Sequence, residues 1–341
     1  MFIFRYRNLL FSLALAVTLF SCEGPSENHS TALNDQTQNV TIESVTNALK
    51  EDRTNGDLFE KRASLHLKKG NTEAALNDIK VALKIDSLST NYHYTFAEIL
   101  FTKGEIVRAS EKLKKCIAID PKEIKSLIKI AEMEFYMQKY KSSLTYLKRV
   151  TDIEPYNSQA YYIHGLIFKQ LQDTAQAISS LQKSVEYDAS NKDAYSQLGI
   201  LYYEQNNPLA INYLNNALSL DPENTETLYA IAMYYQNNMQ IDKSREYYTS
   251  ILDINPNHSN THYNLGYIDI AVNKNYQSAI THFNNTLISD STYALAYYMR
   301  GLCWENSENY KNARKDYSKC LDLKTNFNLA IQGMNRLDKI Q

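Results

Sequence analysis

Two residue types in this sequence have the chemistry and spacing to form a reaction centre. His258 and His262 stand four apart, the interval that sets two imidazoles on one helix face, as a zinc site would need. Cys116, Cys303 and Cys320 could act as ligands, nucleophiles or a disulfide. Neither set reads as a centre. His258 follows Pro256 in a turn and His262 falls at a packing position, so the pair reads as solvent and core. Cys116 is remote in sequence from the other two, so only Cys303 and Cys320 are close enough to pair, and buried free thiols are the favoured state. The sequence contains no Gly-rich phosphate loop, no His-Glu-x-x-His, no Gly-x-Ser-x-Gly and no Cys-x-x-Cys. These residues predict a protein that is not an enzyme, with no cofactor and no metal.

Composition narrows the partner. Lys plus Arg is 36 and Asp plus Glu 38, for a net charge of −2. No basic excess is available to neutralise a phosphate backbone, so nucleic acid is excluded as the expected partner. Nine Gly and six Pro in 341 residues are too few for the turns of a sandwich or barrel. Tyrosine is abundant, with 27 copies against one Trp. It combines broad apolar contact with a hydroxyl and orders at low entropic cost, which suits a binding surface.

Before any chemistry can be placed, the repeat must be read. Small residues recur at Ala63, Ala97, Ala131, Gly165, Gly199, Ala232, Gly266 and Gly301, at intervals of 33 to 35. A second small ladder runs through Ala75, Ala109, Ser143, Ala177, Ala210, Ser244, Ala279 and Ala313. A large one follows at Ile79, Leu113, Leu147, Leu181, Leu214, Tyr248, Phe283 and Tyr317. Each unit holds two stretches of helical period, as in Ala109, Leu113, Cys116 and Ile117. Asp120-Pro121, Glu154-Pro155, Asp221-Pro222 and Asn255-Pro256 end helices, and Asn157 and Asn224 are cap candidates. Paired small residues let two antiparallel helices approach while larger neighbours interlock around them.

This unit resembles the tetratricopeptide repeat, most fully through Tyr195, Leu198, Gly199, Tyr202, Ala210, Leu214, Ala217 and Pro222. The resemblance implies an all-α fold, a right-handed α-solenoid of about eight helix pairs with N- and C-terminal capping helices. The expected repeats are 56–89, 90–123, 124–157, 158–191, 192–224, 225–258, 259–293 and 294–327, inside one domain spanning 41–341. Apolar stripes at Ile42, Val45, Ala48, Leu49 and at Ala330, Ile331, Met334, Leu337 mark the end helices, the last over 328–341, with Gln332, Asn335, Arg336 and Asp338 outward. Arg62, His164 and Arg300 replace the family's Leu, and Glu134 and Asp269 its Tyr; these departures are expected to loosen single units.

The N-terminus reads as an address. Arg5 and Arg7 precede an apolar run, Leu9 to Phe20, too short to span a bilayer but suited to an export signal. Its end, Leu19-Phe20-Ser21-Cys22, resembles the bacterial lipobox, which implies a lipoprotein signal peptide over 1–21 and lipidation of Cys22. The polar stretch that follows, within 22–40, is a flexible tether with a reach of about 20–25 Å. Localisation is therefore expected in a bacterial cell envelope, exported and anchored to a membrane, with the periplasmic side of the outer membrane preferred.

In the tetratricopeptide family the first helix of each unit lines a concave groove. Carried onto this sequence, the groove residues are Tyr94, Glu98, Glu132, Tyr162, Tyr229, Met233, Tyr263, Tyr267, Tyr298 and Leu302. Lys with Asn at the fifth and ninth positions, the family's clamp for C-terminal carboxylates, never occurs. The groove is graded, with Asp57, Glu60, Glu98 and Glu132 toward the N-terminus and tyrosines toward the C-terminus. The expected function is a non-enzymatic, membrane-anchored scaffold that binds a peptide or helix of an envelope complex, its basic end toward the acidic part. The alternative is a lipoprotein that captures glycans, whose rings also stack on tyrosine. A further alternative for the tyrosines is packing between neighbouring helices.

Overall fold

The structure, a computed structural model, describes residues 40–340. The expected signal peptide, Cys22 and nearly all of the tether lie outside the described residues. Eighteen helices and no strand occur among the described residues. A first helix, α1 (Ile42–Glu51), is followed by eight hairpins. These are α2 (Gly56–Lys68) with α3 (Thr72–Ile85), α4 (Thr90–Thr102) with α5 (Ile106–Ile119), and α6 (Ile124–Tyr136) with α7 (Tyr140–Ile153). Next come α8 (Ser158–Gln170) with α9 (Thr174–Tyr187), α10 (Lys192–Glu204) with α11 (Ala210–Leu220), and α12 (Thr225–Asn237) with α13 (Ile241–Ile254). The last pairs are α14 (Ser259–Asn273) with α15 (Tyr276–Ser289) and α16 (Ala294–Asn306) with α17 (Tyr310–Leu323), closed by α18 (Asn328–Leu337).

The ladders are the cores of these hairpins. Ala63, Ala97, Ala131 and Ala232 are fully buried, as are Ile79, Leu113, Leu181, Leu214, Tyr248, Phe283 and Tyr317 opposite. At Gly199 the fit is closest: a Cβ there would lie 2.5 Å from Leu214 Cγ and 3.0 Å from the Leu214 backbone nitrogen. Helix ends follow local chemistry. Asn157 Oδ1 accepts from the backbone of Ala160 and Asn224 Oδ1 from that of Thr227, each at 2.9 Å. Asp120, Glu154, Asp221 and Asn255, each followed by proline, are C-caps. Every hairpin turn passes through one left-handed residue, in order Gly70, Gly104, Gln138, Gln172, Asn206, Met239, Lys274 and Glu308. Such a residue closes the first helix of each pair.

Two expectations need correction. Arg62 and Arg300 do not loosen their units. Each guanidinium forks onto the aspartate sixteen residues on, Arg62 to Asp78 at 2.7 and 2.6 Å and Arg300 to Asp316 at 2.8 and 2.6 Å. His164 Nδ1 meets Ser180 Oγ in the same register at 2.8 Å. Asp269 is buried too, and accepts from Arg245 at 2.6 Å and Ser278 at 2.5 Å. In the closing helix Ala330 and Leu337 bury as expected and Met334 is half-buried, but Ile331 is exposed and Gly333 buries instead, flat against the Tyr317 ring. Gln332, Asn335, Arg336 and Asp338 are exposed as expected, and Arg336 and Asp338 also bond Glu305 and Arg314.

Candidate functional site: the face of the first helices

First helices of neighbouring units pack directly on one another at alternate junctions, α2 on α4, α6 on α8, α10 on α12, α14 on α16. Among the described residues no comparable packing joins successive second helices. A stack closer on one layer than the other curves toward that layer, so the first helices form the inner face. A run of side-chain bonds laces it from unit to unit. Tyr92 donates to Asp57 at 2.6 Å and Thr95 to Glu60 at 2.7 Å. Gln159 donates to Glu132 at 3.1 Å, Lys169 to Gln197 at 2.6 Å, and Thr227 Oγ1 to Ser196 Oγ at 3.0 Å. Asn264 Nδ2 donates to the hydroxyls of Tyr229 and Tyr248 at 2.8 and 2.9 Å, and the Tyr248 hydroxyl donates in turn to Gln236 Oε1 at 2.8 Å.

This lacing sorts the ten expected groove residues. Tyr94, Glu98, Glu132, Tyr162, Tyr229, Met233, Tyr267 and Leu302 are half-buried. Tyr263 and Tyr298 are each only 9% exposed. The Tyr263 ring stacks on Tyr293 at 5.2 Å and leans on Phe283 at 5.7 Å. Tyr298 meets Phe327 at 5.3 Å and Tyr317 at 5.9 Å. These two spend their rings on packing between units, and the half-buried eight offer the surface. The N-terminal part carries carboxylates of altered acidity. Burial pushes the Glu98 carboxyl up, with Lys129 opposing, and pushes the neighbouring Tyr94 hydroxyl far above its ordinary value. Lys129 also reaches Glu132 at 3.4 Å, so the acidic stretch is partly neutralised from within. At the C-terminal part burial raises the Tyr229 hydroxyl to about 12.

Sequence reasoning left Lys169 and Tyr203 out of the groove. Both stand twelfth in a first helix, and both bond along the inner face: Lys169 to Gln197, and Tyr203 to Asn237. Burial lowers the Lys169 ammonium, with Glu204 and Glu226 opposing. Reading the twelfth position as closely as the fifth and ninth would have found them. His258 and His262 do not converge on a metal. His258 caps α14, and His262 Nε2 faces the Pro256 carbonyl at 2.9 Å. Cys116, Cys303 and Cys320 are free and buried.

Comparison with known proteins decides the family. The "TPR repeat" family model matches residues 165–206, and the "Tetratricopeptide repeat" model matches 225–258 and 294–327. The chain is a tetratricopeptide repeat protein. It is 25% identical over 249 residues to the DnaJ homolog subfamily C member 7 homolog of Dictyostelium discoideum, covering 67% of this chain and 46% of that one. It is 25% identical over 142 residues to the type IV pilus assembly protein PilF of Pseudomonas aeruginosa, covering 41% and 56%. The chain thus spans about half the length of such curated relatives. The solved structure of PilF superposes with a TM-score of 0.55 at 21% identity, over 61% of this chain and 94% of that one. The Cut9–Hcn1 hetero-tetramer of APC/C gives 0.58 at 17% identity, over 87% and 58%. These likenesses establish the all-α repeat solenoid.

Proposed function

We propose that the protein is a membrane-anchored, non-enzymatic scaffold of the bacterial cell envelope, held by lipidated Cys22, whose inner face receives an extended segment or helix of a partner. The observation that carries the reading is the half-buried row of Tyr94, Tyr162, Tyr229, Met233, Tyr267 and Leu302 along one continuous layer. Such side chains are already held by their neighbours, so a ligand covers them at small ordering cost. Glu98 and Glu132 favour a basic end of the ligand at the N-terminal units. The envelope assignment rests on the lipobox-like Leu19-Phe20-Ser21-Cys22 and on similarity to a protein named for pilus assembly.

Site-specific photocrosslinkers at Tyr267 and Leu302 in living cells test the groove, with Tyr156, a solvent-facing loop residue, as control. The reading expects one protein adduct from the first two positions and none from the third. A glycan adduct, or adducts that do not depend on position, would refute it. Palmitate labelling that disappears in Cys22→Ala tests the anchor separately.

A further inference from the structure

Each second helix meets the next first helix through a pair of residues 24 apart. At most junctions the pair is apolar: Leu76 and Leu100, Ile178 and Tyr202, Ile211 and Tyr235, and Ile280 and Trp304 each share a hydrophobic cluster. At two junctions it is ionic. Arg245 meets Asp269, and Arg314 meets Asp338, each at 2.6 Å. One junction has an acid without its cation. Glu134 occupies the aspartate's place in α6, but Ser110 stands where α5 would carry the arginine. Glu134 is only 5% exposed, it makes no ion pair among the described residues, and it lines a surface notch rather than a sealed core. Its charge is nevertheless felt: the Tyr146 hydroxyl is pushed up by burial and, secondarily, by Glu134. A carboxylate held largely out of bulk water with no cation beside it gains from one that arrives.

The place for that cation is open. Glu134 lines a notch of about 610 Å³ beside the turn between α6 and α7, with Lys139, Tyr140, Lys141, Ser142 and Thr145. Ser142 is the third residue of α7, as Ser278, which bonds Asp269, is the third of α15. An adjoining notch of about 470 Å³ adds Leu144 and Leu171, which give it an apolar wall. We propose that this double notch receives an arginine of a protein partner, its guanidinium on Glu134 and a neighbouring apolar side chain against Leu144 and Leu171. The partner supplies from outside what Arg245 and Arg314 supply from within. Arginine fits better than lysine because its planar fork meets a carboxylate through two parallel bonds, as Arg62 and Arg300 already do in this fold. Lys139, Lys141 and Lys148 on the rim call for acidic residues flanking that arginine. The site lies at the hairpin-turn edge, outside the groove, so it stands or falls independently of the groove reading.

The test titrates the full chain with N-acetyl-arginine amide and follows backbone amide shifts around α5–α7. The expected result is saturable binding, absent with N-acetyl-citrulline amide and about tenfold or more weaker in Glu134→Gln, the loss of one charge-assisted contact. Ser110→Arg is expected to raise the melting temperature and to abolish probe binding, because the chain then fills its own notch. No saturable binding to the natural chain, equal binding of the citrulline probe, equal binding to Glu134→Gln, or binding that survives Ser110→Arg would each overturn the proposal.

Discussion

Replacing Met239 with glycine should stabilise the protein even though it deletes a whole side chain. Met239 sits at φ 59° in the turn between α12 and α13 and is 78% exposed, so almost no packing is lost. An L-residue in the left-handed region costs about 1–2 kcal/mol, a cost glycine escapes. Against this, glycine makes the unfolded chain more flexible by about 0.4–1 kcal/mol. The difference is a gain of about 0.5–1 kcal/mol. Gln138, Gln172 and Glu308 occupy equivalent exposed turns and should respond alike. Asn206 should gain only a few tenths, since its short polar side chain tolerates this conformation. Gly104→Ala should do the reverse and lose about 1 kcal/mol. Urea unfolding followed by far-UV circular dichroism gives the shifts in midpoint, and hydrogen exchange of α12 and α13 reports the local effect if units unfold in stages. A Met239→Gly midpoint at or below that of the natural chain would refute the reasoning. So would a gain for Asn206→Gly as large as that for Met239→Gly.

Other consequences can be checked alongside. Arg300→Leu should cost about 3 kcal/mol because it strands the buried Asp316, whereas Arg300→Leu with Asp316→Leu should recover most of the loss, as read from thermal melts. Gly199→Leu should drive α10 from α11, given the 2.5 Å approach to Leu214, and hydrogen exchange should show those two helices opening first. Burial lowers the folded-state pKa of His93, His164, His258 and His282 below 6.5. Stability from these groups is therefore complete above that pH and is lost as the pH falls through the lowered values. Melting temperature should drop on acidification from about pH 6.5, and less so in His282→Asn; a pH-independent melting temperature across that range would contradict the burial of the rings.

The hairpins were legible because packing two helices at close range restricts residue size at fixed intervals, and Ala63 to Gly301 record that restriction directly. Polar departures were harder to read. Arg62, His164 and Arg300 look like defects one position at a time, yet Asp78, Ser180 and Asp316 stand sixteen residues on, so the compensation was written in the chain as a spacing. The turns carry almost no sequence signal, since six of the eight left-handed positions are not glycine and tertiary packing imposes the conformation. Within the groove, position alone could not separate Tyr263 from Tyr267. Tyr263 is covered by Tyr293, which belongs to the loop leading into the next unit, and such coverage depends on how units stack.

The most direct measurement is hydrogen–deuterium exchange of the chain with and without the partner captured by crosslinking. Protection should fall on the first helices, from α4 through α16, and be strongest in α12, α14 and α16 around Tyr229, Tyr267 and Leu302. Protection confined to the second helices, or none on the first, would contradict the account.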